Sequence, residues 1–165
     1  MSRVTHKSVV EEQGQRTARS TDAYLPKVGH EAALCKKCGA LYRNKRWTVA
    51  GEEAGAGNLA KVVCPACQRM ADNNPGGIVT FAGDYLLAHE DAILNSIKNI
   101  EAKSRAKNPL GRIMEISQDK NVLTIATTED KLAQKLGREI FKAHRGELHY
   151  RWSHGESFVR VSWFR

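Results

Sequence analysis

Four cysteines stand in two close pairs, Cys35 with Cys38 and Cys64 with Cys67, and no other residues of the chain are spaced so well for chemistry. Two residues separate the members of each pair, so one tight turn of backbone can point both sulfurs at a single ion. Two such turns complete a tetrahedral shell of soft ligands, which suits zinc. Because protein sulfurs fill all four positions, the pattern predicts a structural site and a protein that is not an enzyme.

Two alternatives fit the same cysteines. The first is a pair of disulfides or free thiols, although disulfides are rare in a reducing cytoplasm. The second is iron, because the two cysteine turns resemble those of rubredoxins. Rubredoxins are short and acidic, whereas this chain has 165 residues and a formal net charge of +8. Zinc is therefore the predicted cofactor, with iron as the alternative.

Basic residues surround the first cysteine pair and recur farther along the chain. The first group lies within residues 36–46, which contain no acid, and an aromatic residue follows it directly. Basic side chains beside aromatic rings suit RNA, because phosphates pair with the charges and unstacked bases lie on the rings. The alternative is a solvated charged face with Trp47 packed beneath the cysteine turns. The residues predicted to contact nucleic acid are Lys36, Lys37, Arg43, Lys45, Arg46, Trp47, Arg105, Lys107 and Arg112.

Composition limits the classes of protein to consider. Hydrophobic residues make up 41% of the chain, which is enough for a packed core. The basic balance favours an anionic partner, usually nucleic acid. No apolar run approaches the roughly 20 residues of a membrane span, and residues 1–20 lack the apolar centre of a signal peptide. We therefore expect a cytoplasmic protein without a membrane partner.

Three segments position the cysteines. Residues 1–30 read as a polar arm, with a weak helix or disorder over residues 8–19. Residues 31–75 form the cysteine module, in which residues 46–49 and 59–63 are predicted to pair as a hairpin around a glycine-rich loop. Residues 76–165 read as an α+β domain.

The third segment has the clearest periodicity. Its predicted order is β-α-β-β-α-β-β, so the predicted fold class is α+β, with a four-cysteine zinc ribbon followed by a small mixed domain. Asp84 begins a long helix that ends near Lys107, and Thr128 caps a second helix that Gly146 ends. The predicted strands cover residues 78–81, 113–117, 122–127, 147–152 and 157–164.

A resemblance adds to this interpretation. The cysteine region and the segment after it resemble small bacterial proteins that are similar to the Nmd-type large-ribosomal-subunit export adaptor family. The motifs are Cys35-Lys-Lys-Cys38-Gly39, Cys64-Pro65-Ala-Cys67, Gly83-Asp-Tyr85 with His89 and Ile93, Pro109-Leu-Gly-Arg112-Ile-Met114, Thr127-Thr128 and Gly146-Glu-Leu148. The resemblance implies a zinc site at the four cysteines and contact with the ribosome or RNA. Its likeness to the adaptor itself covers only the cysteine module and the adjoining helix, so nuclear export is not implied.

These observations predict a non-catalytic zinc protein that contacts ribosomal or other structured RNA through its basic clusters. One alternative is an adaptor that binds another protein and uses the zinc module as a rigid platform. A further alternative is an iron-binding redox protein with rubredoxin-like cysteine turns.

Overall fold

The computed structural model describes residues 9–12, 24, 31–51, 57–153 and 157–165. Within these ranges the chain is α+β, with two mixed sheets and four helices. The strands are β1 (Val9–Glu12), β2 (Ala32–Cys35), β3 (Leu41–Arg43), β4 (Arg46–Thr48), β5 (Ala60–Val62), β6 (Gly77–Ala82), β7 (Ile113–Asp119), β8 (Val122–Thr127), β9 (Glu147–Trp152) and β10 (Val159–Phe164). The helices are α1 (Pro65–Asp72), α2 (Asp84–Ala88), α3 (Glu90–Lys107) and α4 (Asp130–His144).

The larger sheet has six strands in the order β1-β9-β10-β6-β8-β7. Strand β6 lies inside it, parallel to β10 and antiparallel to β8. Alternate residues of these strands are buried, and Val79 and Phe81 stand opposite Val161 and Trp163. Helix α4 packs on this buried face at close range, since a Cβ on Gly137 would lie 2.5 Å from a Val161 methyl carbon. Leu86 of α2 and Ile93 and Ile97 of α3 belong to the same cluster, so the larger core lies between helices α2–α4 and the six-stranded sheet.

Helix α4 buries apolar residues that recur every four positions, as its sequence pattern indicates. It begins at Asp130, after Glu129 as the N-cap residue, and not directly after Thr128. The predicted cap, Thr128, has another role, because its hydroxyl accepts a hydrogen bond from the backbone N–H of Arg112 at 2.8 Å. This bond ties the end of β8 to the residue before β7.

The single long helix predicted for residues 84–107 is wrong, because His89 divides it into α2 and α3. His89 has φ −128° and ψ 21°, outside the α-helical region. Its Nδ1 lies 3.0 Å from the carbonyl oxygen of Tyr85, and the two rings stack with centroids 3.8 Å apart. The backbone N–H of His89 also donates to this carbonyl, at 3.1 Å, so the chain bends at His89 without losing that hydrogen bond. From β6 onward the order is therefore β6-α2-α3-β7-β8-α4-β9-β10.

The smaller sheet has four short strands in the order β4-β3-β2-β5. The predicted hairpin of residues 46–49 with 59–63 is wrong, because β4 and β5 lie at opposite edges of this sheet. Strand β4 pairs antiparallel with β3, and β5 pairs parallel with β2. Strands β2 and β3 were not predicted, since elements of three or four residues are too short to show a clear alternation.

The N-terminal segment contributes one strand to the larger sheet. Strand β1 runs parallel to β9 at the sheet edge, where the sequence predicted a weak helix or disorder. The other residues of that predicted arm lie outside the described ranges, apart from Tyr24. The Tyr24 hydroxyl donates to a carboxylate oxygen of Asp72 at 2.9 Å, at the end of α1. No helix in the described ranges is both long and apolar enough to cross a membrane.

Candidate metal centre

The first cysteine turn, residues 35–39, follows directly from β2. The backbone N–H of Cys35 donates to the carbonyl of Ala40 at 2.8 Å, and that of Gly39 donates to the carbonyl of Cys35 at 2.9 Å. Gly39 has φ +76°, a conformation that glycine enters without steric strain. These bonds close a tight loop and bring the sulfurs of Cys35 and Cys38 to the same side.

The second cysteine turn, residues 64–67, is the beginning of helix α1. Cys64 is the N-cap residue, and its sulfur accepts the backbone N–H of Cys67 at 3.4 Å. Pro65 follows at the first helical position, where proline costs no hydrogen bond and has a suitable φ. Sequence reasoning took this proline as part of a turn and missed the helix. The helix start holds the second pair of sulfurs in place.

The four sulfurs converge within the described part of the chain. Cys35 Sγ lies 3.8 Å from Cys67 Sγ, and Cys38 Sγ lies 3.6 Å from Cys64 Sγ. All four lie within 4.8 Å of one another. Zinc–sulfur bonds of about 2.3 Å place tetrahedral ligands roughly 3.8 Å apart, so the observed spacing fits one ion. The sulfurs are much farther apart than the roughly 2.05 Å of a disulfide, and all four cysteines are free.

Hydrogen bonding and burial act differently on the four thiols. Burial acts to raise the pKa of Cys35, but backbone N–H groups of Cys64, Cys38 and Lys37 outweigh it and lower this pKa to about 6. Burial raises the pKa of both Cys38 and Cys64. Metal ligation requires thiolates, so binding must displace protons from at least part of this set. The cluster can therefore hold a metal ion, and its affinity for the ion will fall in acid.

A buried arginine completes the surroundings of the sulfurs. Arg112 is 6% exposed, and its Nη2 donates to Cys67 Sγ at 3.1 Å and to Cys64 Sγ at 3.5 Å. Burial acts to lower the pKa of Arg112, but the hydrogen bond to Cys67 and the negative sulfurs raise it. The sequence placed Arg112 in a basic surface cluster, and its burial excludes that role. No spacing rule could find this contact, because 45 positions separate Arg112 from Cys67.

The aromatic residues of the module are buried beside the cysteines. Trp47 and Tyr42 are each 8% exposed, and their ring centroids are 5.2 Å apart. Both pack in a core cluster with three of the cysteines. Burial excludes Trp47 as a platform for RNA bases and agrees with the alternative that it packs beneath the cysteine turns. Its Nε1 has no hydrogen-bond acceptor among the described residues.

The other predicted nucleic-acid contacts lie on the surface. They are Lys36, Lys37, Arg43, Lys45, Arg46, Arg105 and Lys107, and each is exposed. Three of them belong to one tight hairpin between β3 and β4, in which Arg43 and Arg46 are directly paired across the strands. Asn44 and Lys45 form its turn with φ of +51° and +61°, the pattern of a type I′ turn. We call residues 43–46 the basic hairpin.

No protein-family model, curated protein or solved structure matches the chain. The resemblance to the Nmd-type adaptors therefore stays a prediction. What the protein does has to be argued from the cysteine centre and the charged surface beside it.

Proposed function

We propose that the four cysteines hold one zinc ion as a structural centre, and that the protein is a cytoplasmic, non-catalytic RNA-binding protein. The RNA would be ribosomal or otherwise structured, and the basic hairpin with Lys36 and Lys37 would contact its phosphates. The observation that carries the proposal is the cluster of five exposed cations around the metal centre, in a segment without an acid.

The sulfur set supports a structural role for the ion. Four cysteine ligands leave no position for a substrate or water, which distinguishes structural zinc sites from catalytic ones. Three of the cysteines are buried, and only Cys38 is partly exposed. Zinc is preferred over iron on the basic composition of the chain, and a colourless purified protein would agree with that choice.

The basic hairpin supports an anionic partner. Like charges directly opposite each other on paired strands destabilise a hairpin, yet Arg43 stands opposite Arg46 with Lys45 in the turn between them. A phosphate backbone is a suitable partner for such a concentration of positive charge, and double-helical RNA is recognised mainly through its shape, phosphates and 2′-hydroxyls.

A second basic group lies toward the same part of the molecule. Arg105 and Lys107 are exposed in the last turn of α3, and the chain then passes into Leu110, which packs against the core of the cysteine module. Positive charge also suits a helix C-terminus by itself. We therefore assign Arg105 and Lys107 a supporting role behind the basic hairpin.

The proposal is tested by RNA binding at several salt concentrations. We expect the affinity of the zinc-loaded protein for ribosomal RNA to fall steeply with salt, because each neutralised phosphate releases counterions. Arg43→Glu combined with Lys45→Glu is expected to weaken binding and to reduce the salt slope by about 2, roughly one for each lost phosphate contact. Lys131→Glu combined with Arg138→Glu, which reverses two exposed cations on α4, is the matched control and should have little effect.

Two outcomes would overturn the RNA proposal. One is an absence of RNA binding at low salt by protein that carries its metal. The other is equal loss of affinity in the hairpin variant and the α4 control, which would indicate only nonspecific attraction by net charge. Recovery of one protein partner after nuclease treatment, with no RNA, would instead establish the adaptor alternative.

A further inference from the structure

Arg112 lies at the boundary between the cysteine module and the six-stranded sheet. Its guanidinium reaches the two sulfurs of the second cysteine turn, at 3.1 Å from Cys67 Sγ and 3.5 Å from Cys64 Sγ. No hydrogen bond between the described residues joins it to the sulfurs of the first turn. Arg112 therefore holds one half of the centre directly.

The backbone of Arg112 belongs to the sheet. Its N–H donates to Thr128 Oγ1 at 2.8 Å, and its carbonyl accepts the backbone N–H of Thr128 at 2.9 Å. These bonds continue the pairing of β7 with β8, which begins at Ile113 and Thr127. The backbone end of the side chain is thus fixed to the sheet while its charged end is fixed to the module.

Few other contacts can replace this link. Among the described residues, Leu110 is the one partly buried hydrophobic residue outside the module that packs against its core cluster. Beside it the boundary opens into a pocket of about 200 Å³, lined by Pro65 and Ala66 on the module side and by Asn108 and Glu129 on the sheet side. The boundary is therefore partly open and polar, unlike a continuous apolar interface.

We propose that Arg112 docks the cysteine module on the six-stranded sheet through the metal-binding sulfurs, which couples occupancy of the centre to the position of the basic hairpin. This inference rests on the metal site proposed above. The ion joins the first cysteine turn to the second, and Arg112 joins the second turn to the sheet. A buried guanidinium is stabilised there only if negative sulfurs stay where it can reach them.

The ion and Arg112 are two separate links, and the loss of each has a different expected effect. Removal of the ion weakens the link between the two turns, which then rests on the pairing of β2 with β5 and on the bond from the Cys64 N–H to Cys35 Sγ at 3.3 Å. It also takes away the fixed sulfurs that Arg112 needs. Loss of Arg112 leaves all four ligands present, so the module should keep its ion but move against the sheet. Arg112 is thus a positioning residue, and metal content alone does not report on its role.

Hydrogen exchange with a parallel measurement of bound metal tests the proposal. The full chain is compared with Arg112→Met, which keeps a long side chain without charge, and with Arg112→Lys, which keeps the charge without the planar fork. Arg138→Met, on an exposed arginine of α4, is the control. In Arg112→Met we expect one metal ion per chain and exchange about a hundredfold faster over α1 and residues 110–113. The exchange rate in Arg112→Lys should lie between those of Arg112→Met and the wild type, and the control should exchange at the wild-type rate.

Protection of β6 and β10 in every variant shows that the sheet itself has folded. Unchanged exchange in metal-loaded Arg112→Met would overturn the docking role. Loss of metal from this variant, or general unfolding of its sheet, would also contradict the inference, because it assigns metal retention to the cysteines and sheet stability to the larger core. If the wild type binds no metal, the proposed zinc site fails, and that result is distinct from any change in exchange.

Discussion

The two core clusters of the molecule differ in what fills them. Among the described residues, the larger cluster between helices α2–α4 and the six-stranded sheet contains sixteen buried residues, most of them Val, Ile, Leu or aromatic. The cluster in the cysteine module contains eight, of which three are cysteines, three are alanines and two are the rings of Tyr42 and Trp47. The larger core can be stabilised by apolar burial alone. The smaller one has too little apolar volume for this and depends on the sulfurs at its centre.

The largest expected effect is metal removal, which should affect only one of these regions. Structural zinc contributes about 10–16 kcal/mol of apparent binding free energy in small zinc domains. Treatment with a strong chelator should therefore abolish hydrogen-exchange protection in β2–β5 and leave β6, β8 and β10 protected. Cys64→Ser should give the same pattern without a chelator. Equal loss of protection in both sheets would contradict the distinction between the two cores.

The second prediction concerns the larger core, which should lose stability without any change at the metal centre. Leu136 on α4 is fully buried in the larger core, so Leu136→Ala should lower the free energy of unfolding by about 2–5 kcal/mol. Denaturant unfolding followed by tryptophan fluorescence measures the loss, and the bound metal per folded chain should not change. Leu87→Ala, at a position that is 43% exposed, is the control and should cost much less. A similar loss in both variants would show that the larger core is not the source of stability.

The smallest expected effect is the contribution of His144, in the last turn of α4, to the pH dependence of stability. Burial first, and then the charges of His89 and Arg165, lower the pKa of His144, whose Nδ1 lies 3.0 Å from the Tyr85 hydroxyl. The folded state thus binds this proton less readily than the unfolded state, and stability falls as the pH drops below about 6.5. His144→Gln should reduce the fall in Tm between pH 7.5 and pH 5 by about 2 °C or less.

The exposed residue His149 supplies the control for that measurement. Its Nε2 lies 3.9 Å from a carboxylate oxygen of Glu147, so His149→Gln should not reduce the acid sensitivity. An unchanged pH dependence in His144→Gln would show that His144 adds nothing to it.

The parts of the fold that follow from sequence are those with long periodic segments. Strand β8 and helix α4 carry clear patterns, because many residues repeat the same spacing. The short strands of the cysteine module do not: β2 and β3 were not predicted, and the pairing of β4 and β5 depends on contacts between distant segments. The break at His89 lies in the backbone dihedrals of one residue, which no periodicity indicates.

The candidate site likewise has features that the sequence predicts and features that it does not. The cysteine spacing is a local signal, and the four sulfurs do converge as it predicts. The charges of Lys36 and Lys37 are also read directly from the chain, and both residues are exposed. Arg112 was assigned to a surface cluster, and Trp47 either to an RNA contact or to a packed position, because each lies in or beside a basic segment. Their burial is decided by tertiary packing around the sulfurs, which residue type alone does not reveal.

The most direct test of the account is native mass spectrometry of the wild-type chain purified without added metal, combined with elemental analysis. We predict one zinc ion bound per chain, retained in Lys36→Glu with Lys37→Glu and lost in Cys64→Ser. A wild-type chain without metal, with its cysteines free or in disulfides, would contradict the central claim that a four-sulfur metal centre holds the cysteine module together. Iron in place of zinc would keep the centre and replace the proposed metal.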